Sequence, residues 1–176
     1  NGEVDGIIGG PKSRLQLREL AKMLRRYLKL ENEKYFPITE LLDVLAEVFD
    51  NFSYEVVEDS ELPIGTHADT DVRTGHIRIK ESVYDGACDG VGRDRMTIAH
   101  ELGHFFTLCF CGFKLERNFS RREVEAFRDP EWQAKCFAGE LLVAEHLMKG
   151  CSIEEIVSEC GVSYDAARCQ YKHINR

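Results

Sequence analysis

The sequence predicts an α+β domain: apolar-striped helical segments at both ends of the chain enclose two short β-rich stretches, with turn residues between them. At 176 residues and 43% hydrophobic content, the chain suits one compact domain with a real core. Residues 1–12 read as a flexible tail, residues 13–150 as the domain that carries the chemistry, and residues 151–176 as a helix-turn-helix-like extension packed on it.

The opening residues, up to Gly9-Gly10-Pro11, are small and carry no apolar period, so they are set aside from the fold. From Ser13, a natural N-cap, Leu15, Leu17, Leu20, Ala21, Leu24 and Leu28 recur at helical spacing. Thr39-Glu40 starts a second helix with Leu41, Leu42, Leu45, Ala46, Val48 and Phe49 on a broad apolar face. Residues Ser53 to Val57 and Gly75 to Ile79 read as strands, the second with clean alternation. Pro63, Gly65 and the Asp and Thr pairs between them predict a loop, and Asp85 to Gly92, with its glycines, a second one. A helix follows over Arg93 to Leu108, and another begins at Asp129-Pro130, where Asp caps and Pro takes the first helical position. The tail from Ser152 has two short helical patterns joined through Gly161-Val162-Ser163, a helix-turn-helix signature.

A formal charge of −8 makes a long polyanion a poor partner, because phosphate binding needs Lys and Arg to release counterions. The acids of the C-terminal extension, Glu154, Glu155, Glu159 and Asp165, outweigh Arg168, Lys172 and Arg176, so direct nucleic-acid binding is not expected there either. No stretch approaches the ~20 apolar residues that span a bilayer, and neither anchor nor signal peptide is predicted. Seven scattered cysteines, an odd number, fit reduced thiols and a cytoplasmic location better than a disulfide framework.

The chemistry lies in His100-Glu101-Leu102-Gly103-His104. Residues four apart on a helix differ by about 40° of rotation, so His100 and His104 share one face and can share a metal ion. Glu101 can then take a proton from a water at that metal as it attacks a carbonyl, and pass it to the leaving amine. This is the pattern of a zinc-dependent peptidase, against which stands the bland reading of two unrelated histidines on a solvated helix.

A catalytic zinc takes three protein ligands, so one more is needed. On the helix from Asp129, Ala134, Phe137, Ala138, Leu141 and Leu142 form one apolar stripe. Glu131 falls within about 20° of Ala138 and Leu142, while Glu140 lies about 180° from Glu131, so the two carboxylates cannot serve one site. Glu131 would thus continue the buried stripe, with a metal as one partner for it; a first-turn acid favouring the helix dipole is the other account.

Two segments taken together, Arg95-Met96-Thr97-Ile98-Ala99-His100-Glu101-Leu102-Gly103-His104 and Glu131-Trp132-Gln133-Ala134-Lys135-Cys136-Phe137-Ala138-Gly139-Glu140-Leu141-Leu142-Val143, resemble the ImmA/IrrE metallopeptidases. The resemblance runs over residues 75–143 and is to the stand-alone members, without a preceding DNA-binding segment. It implies a zincin-like fold with a small β-sheet, a helix carrying the HExxH motif and a C-terminal helical extension. It also implies a gluzincin-like zinc site with His100, His104 and Glu131 as ligands and Glu101 as base, and a DNA-binding transcriptional repressor, of a mobile element or stress regulon, as protein substrate. Leu108, Lys135 and Ala144 depart from the family's usual His, Asn and Pro; Lys135 matters most, since an Asn there would orient a group at the metal.

The rival reading is a regulatory module that keeps the metal but binds a repressor or DNA without cutting. Cys109 and Cys111 lack a second pair for a structural zinc and read as free thiols. His67, His76 and His146 could each polarise a substrate carbonyl, though an ordinary polar histidine is the favoured account of each. The strand at Gly75 to Ile79 could pair an extended substrate along its edge, or be internal.

Overall fold

Ser13 opens α1 (Arg14–Tyr27): its hydroxyl accepts from the Gln16 amide while the Gln16 side chain accepts from the Ser13 amide, pairing two donors that a first turn leaves unmet. In this computed structural model, which describes residues 13–110 and 129–176, Leu17, Leu20, Ala21 and Leu24 form the buried stripe of α1, and Leu15 faces solvent instead. Helix α2 (Ile38–Val48) buries Ile38, Leu41, Leu42 and Leu45 but exposes Ala46 and Val48, so its apolar face is narrower than the composition suggests. The tail at 1–12, the connection at 111–128 and the side-chain chemistry of Cys109 and Cys111 lie outside the described residues.

Three strands form one mixed sheet in the order β1 (Ser53–Val57), β3 (His76–Lys80), β2 (Ala68–Asp71). Strand β1 runs parallel to β3 with Ser53 opposite His76, and β2 antiparallel with Ala68 opposite Ile79. Ile77 and Ile79 are buried, which keeps the predicted alternation of β3. Strand β2 stands where a loop was predicted. Ala68-Asp69-Thr70-Asp71 has little intrinsic β-preference, and the strand forms because a hairpin returns the chain to β3. Gly75 closes that hairpin at φ 72°, where an added Cβ would run into the Asn51 carbonyl. As the central strand, β3 has both edges occupied, so substrate pairing along it is excluded; among the described residues β1 and β2 carry the edges.

Helix α3 (Glu81–Cys88) replaces the first half of the loop predicted at 85–92. Its Gly86 is there for close approach rather than for a turn, since a Cβ would overlap the Asp94 carboxylate. The motif helix α4 (Gly92–His104) does not run on to Leu108: a π-helical turn follows over Phe105–Phe110. The Thr107 hydroxyl donates to the Gly103 carbonyl at 2.7 Å and so competes at that turn for an α-helical acceptor.

Helix α5 (Pro130–Leu142) starts as predicted, with the Asp129 carboxylate accepting from the Trp132 amide and Pro130 in the first turn. Ala134, Phe137, Ala138, Leu141 and Leu142 are all fully buried on one face. A single-turn α6 (Glu145–Met148) leads to α7 (Ile153–Cys160) and α8 (Tyr164–Ile174), each with a serine cap, joined at Gly161 in the left-handed conformation. Ile156, Cys160, Val162, Ala167 and Ile174 belong to the same core as α1, α4 and α5. At Gly92 an added Cβ would lie 2.6 Å from the Ser163 amide, so the helix-turn-helix seats directly on the start of the motif helix.

Two buried arginines lock this assembly by taking carbonyls that helix ends leave unpaired. Arg25 donates twice to the Leu141 carbonyl at the end of α5, and Arg95 to the carbonyls of Cys160 and Gly161 at the end of α7 and also to that of Phe36, just before α2. Among the described residues no helix is long and apolar enough to cross a membrane.

Candidate metal centre

Helices α4 and α5 cross at Gly103, where a Cβ would stand 2.5 Å from the Ala134 carbonyl oxygen and 2.8 Å from its Cα. The missing side chain lets the two backbones touch, and the first turn of α5 then lies over the last turn of α4. His100 Nε2 and His104 Nε2 are 3.1 Å apart. Glu131 meets both, with Oε2 at 2.9 Å from His100 Nε2 and Oε1 at 3.0 Å from His104 Nε2. The spacing of four within α4 and the placement of Glu131 on α5 are thus brought together at one point.

These residues fit a metal ion. Two imidazole nitrogens 3.1 Å apart, each about 3 Å from a different oxygen of the one Glu131 carboxylate, are close to the spacing of neighbouring ligands around a zinc ion, about 3.3–3.4 Å for ligands 2.0–2.1 Å from it. Burial holds the His104 imidazole below its usual pKa, which keeps available the lone pair that coordination uses. The exposure of Glu131 corrects the burial argument made for it from the stripe: its side chain is 60% exposed, against 22% for His100 and 12% for His104. Direction along the helix brings Glu131 to the histidines, and the cost of a buried carboxylate has no part in it. His104 Nδ1 is buried without a hydrogen-bond partner among the described residues, so no such bond fixes its tautomer.

Glu101 lies on the side of α4 that faces β2. The Thr70 hydroxyl donates to its carboxylate, and the Thr70 hydroxyl oxygen is 3.4 Å from the Glu101 carbonyl oxygen. Burial raises the Glu101 carboxyl above the usual carboxylate range; the Thr70 hydrogen bond and His104 oppose that rise, while Glu131 and Asp69 add to it. Glu101, His104, Glu131, Thr70 and Leu108 share one cleft of about 360 Å³. Thr70 escaped the sequence reading because its strand did; the glycine of a tight return, Thr74-Gly75, just before the alternating β3 was the signal that could have revealed both.

His67, His76 and His146 do not line this cleft. His76 pairs with the Ser53 hydroxyl and Glu55, and His146 Nε2 stands 2.6 Å from the Glu31 carbonyl oxygen. Glu140 is also elsewhere, in ion pairs with Arg14 and Arg18, as its opposite position on α5 requires. Lys135 lies on the far side of His100, in a second cavity.

The contact at Gly103 gives a direct test. Gly103→Ala must push α4 and α5 apart by roughly 1 Å to restore ordinary contact, which exceeds the ~0.5 Å tolerance of a preorganised site. Metal affinity measured by competition with a chromogenic chelator should fall about tenfold or more, while Gly150→Ala, at a position with open space around it, serves as the control. Unchanged affinity in Gly103→Ala would show that the helix spacing does not set the site.

No protein-family model matches the chain, and no curated protein sequence does. Its fold is similar to that of a Mycobacterium tuberculosis transcriptional regulator, with a TM-score of 0.54 at 16% identity. The match covers 86% of this chain and 44% of that one, so this chain spans less than half the length of the regulator.

Proposed function

We propose that this protein is a zinc-dependent endopeptidase of the ImmA/IrrE type, with a zincin-like fold, that cleaves a partner transcriptional repressor in the cytoplasm. The observation that carries the reading is a carboxylate beside a His, His, Glu triad: Glu101 shares an open cleft with His104 and Glu131, two of the three members of the triad His100, His104 and Glu131. Metal alone would need only the triad. A carboxylate held by Thr70 and raised in pKa is the equipment of a general base.

His100, His104 and Glu131 would hold the ion, three protein ligands as a catalytic zinc takes. Bound there, zinc supplies Lewis acidity to a carbonyl oxygen and lowers the pKa of water. Glu101 takes the proton from the attacking water on its carboxylate and returns it to the amide nitrogen as the bond breaks. The Thr70 hydroxyl orients Glu101 for both transfers. The edge strand β2 forms one wall of the cleft through Ala68, Asp69 and Thr70, so an extended peptide laid along it would pass in front of Glu101.

The five described cysteines are free, in keeping with a reducing compartment. The fold similarity to part of a transcriptional regulator is in keeping with a substrate in gene control, and α7 and α8, seated against α4 and acidic, are read as packing or protein contact rather than a DNA reader.

The test combines metal analysis with cleavage. The purified chain should bind one zinc per molecule, gain several degrees in Tm on loading and lose them to a chelator, since binding at 100 Kd stabilises by about 2.7 kcal/mol. Loaded protein should cut the repressor encoded beside it, read as new termini by mass spectrometry. Full zinc occupancy with an intact repressor that nevertheless binds would favour the non-cleaving module.

A further inference from the structure

A second cavity, of about 490 Å³, opens on the other side of the triad, with His100 in its wall. Three helices build it at regular spacing. Helix α4 gives Met96 one turn above His100; α5 gives Trp132, Lys135, Cys136 and Gly139, and so turns this face outward immediately after Glu131. Helix α8 gives Ala166, Cys169, Gln170 and His173 in the same 3, 1, 3 rhythm, so the C-terminal extension completes the cavity.

Its chemistry is unlike that of the chain as a whole. The protein carries a net charge of −8, yet among the described residues neither Asp nor Glu lines this cavity. The Lys135 ammonium has no carboxylate partner among the described residues and is exposed at the wall. Arg14 of α1, also in the wall, is paired with the buried Glu140, so of these two cations Lys135 is the one left free to meet a ligand. Apart from His100, Gln170 and His173, the rest of the wall is largely apolar, from Met96, Trp132, Ala138 and Ala166. The cleft on the β2 side is the reverse, with Asp69, Glu101 and Glu131 in its walls.

We propose that the α4–α5–α8 cavity is the specificity subsite of the peptidase, taking a bulky apolar side chain of the substrate whose following residues are acidic. The inference rests on the peptidase reading for its place in catalysis, but the recognition itself is a matter of shape and charge. The apolar walls take the side chain, at about 25 cal/mol per Å² of apolar surface removed from water. Lys135 at the rim meets the carboxylates that follow. The cavity begins at His100, so its occupant lies within a residue or two of the bond presented to the triad.

Trp132 is the single tryptophan of the chain and stands in this wall, so its emission reports occupancy directly. The full chain carrying Glu101→Gln, loaded with zinc, is titrated with two capped hexapeptides, one with leucine followed by two glutamates and one with leucine followed by two lysines. The glutamate peptide should shift the Trp132 emission and bind at least about fivefold more tightly, the scale of one accessible ion pair. Lys135→Glu, at an exposed position that the fold tolerates, should reverse the order, and Cys169→Phe should block both peptides by filling the cavity mouth. Equal binding of the two peptides, no binding of either, a preference retained in Lys135→Glu, or binding indifferent to Cys169→Phe each overturns the proposal. Cleavage of the same peptides by the wild-type chain is read separately: preferential binding without cleavage leaves the subsite standing and removes the peptidase reading.

Discussion

Glu101→Gln is expected to leave zinc binding intact while lowering repressor cleavage by about 10²–10⁴-fold, the range for loss of a positioned general base. The two halves of that result come from different sides of α4. His100 and His104 turn toward Glu131 on α5, whereas the Glu101 carboxylate turns toward Thr70 on β2. Glutamine keeps the shape and can still accept from the Thr70 hydroxyl, so the cleft is preserved, but it cannot take up a proton. Substitution at His104 or Glu131 should act in the opposite sense and remove metal first. A variant Glu101→Gln that loses zinc would place Glu101 among the ligands, and one that cuts at the wild-type rate would assign the base to another group. Thr70→Val separates positioning from proton transfer: it should reduce cleavage by a smaller factor and shift the acid limb of the pH profile, because the hydrogen bond it removes is one that lowers the Glu101 pKa.

Much of this site could be read from residue order because its parts obey helical geometry. The 100/104 spacing lies within one helix, and the rotation of Glu131 away from Glu140 lies within another, so neither depended on tertiary contacts. What joins the helices was not readable. Gly103 makes its close contact with the Ala134 backbone, 31 residues away along the chain, which no local pattern reveals. Thr70 was hidden for a related reason: Ala68–Asp71 is a strand only because β3 is beside it. Gly86 misled in the other direction, since a glycine that admits Asp94 looks in sequence like one that makes a turn. Local periodicity carried the elements, and close approach between elements had to be seen.

The second large effect is on stability, at the α5 acid that lies outside the His100, His104 and Glu131 triad. Glu140 has a fully buried side chain and accepts from Arg14 Nη1 at 2.9 Å and from Arg18 Nε and Nη2 at 2.9 and 3.2 Å. Arg18 also donates to the His173 carbonyl at 3.2 Å, and Arg14 to the Gln170 side chain, so this one carboxylate ties α1, α5 and α8 together. Glu140→Ala removes the anion and leaves the Arg18 guanidinium, 9% exposed, with its charge uncompensated except for Glu145 at 3.3 Å. Breaking a buried pair from one side costs about 3–5 kcal/mol, against about 2–4 °C of Tm per kcal/mol for a chain of this size, so Tm should fall by about 10 °C. Glu140→Gln keeps an acceptor and should lose roughly half as much. Well below its own Tm the Glu140→Ala chain should still bind zinc with wild-type affinity, because Glu140 leaves α5 on the side away from Glu131. A loss under about 1 kcal/mol would mean that the cluster is effectively solvated. A fall in zinc affinity in the folded variant would mean that the two carboxylates of α5 are not independent, and the division of labour along that helix would have to be redrawn.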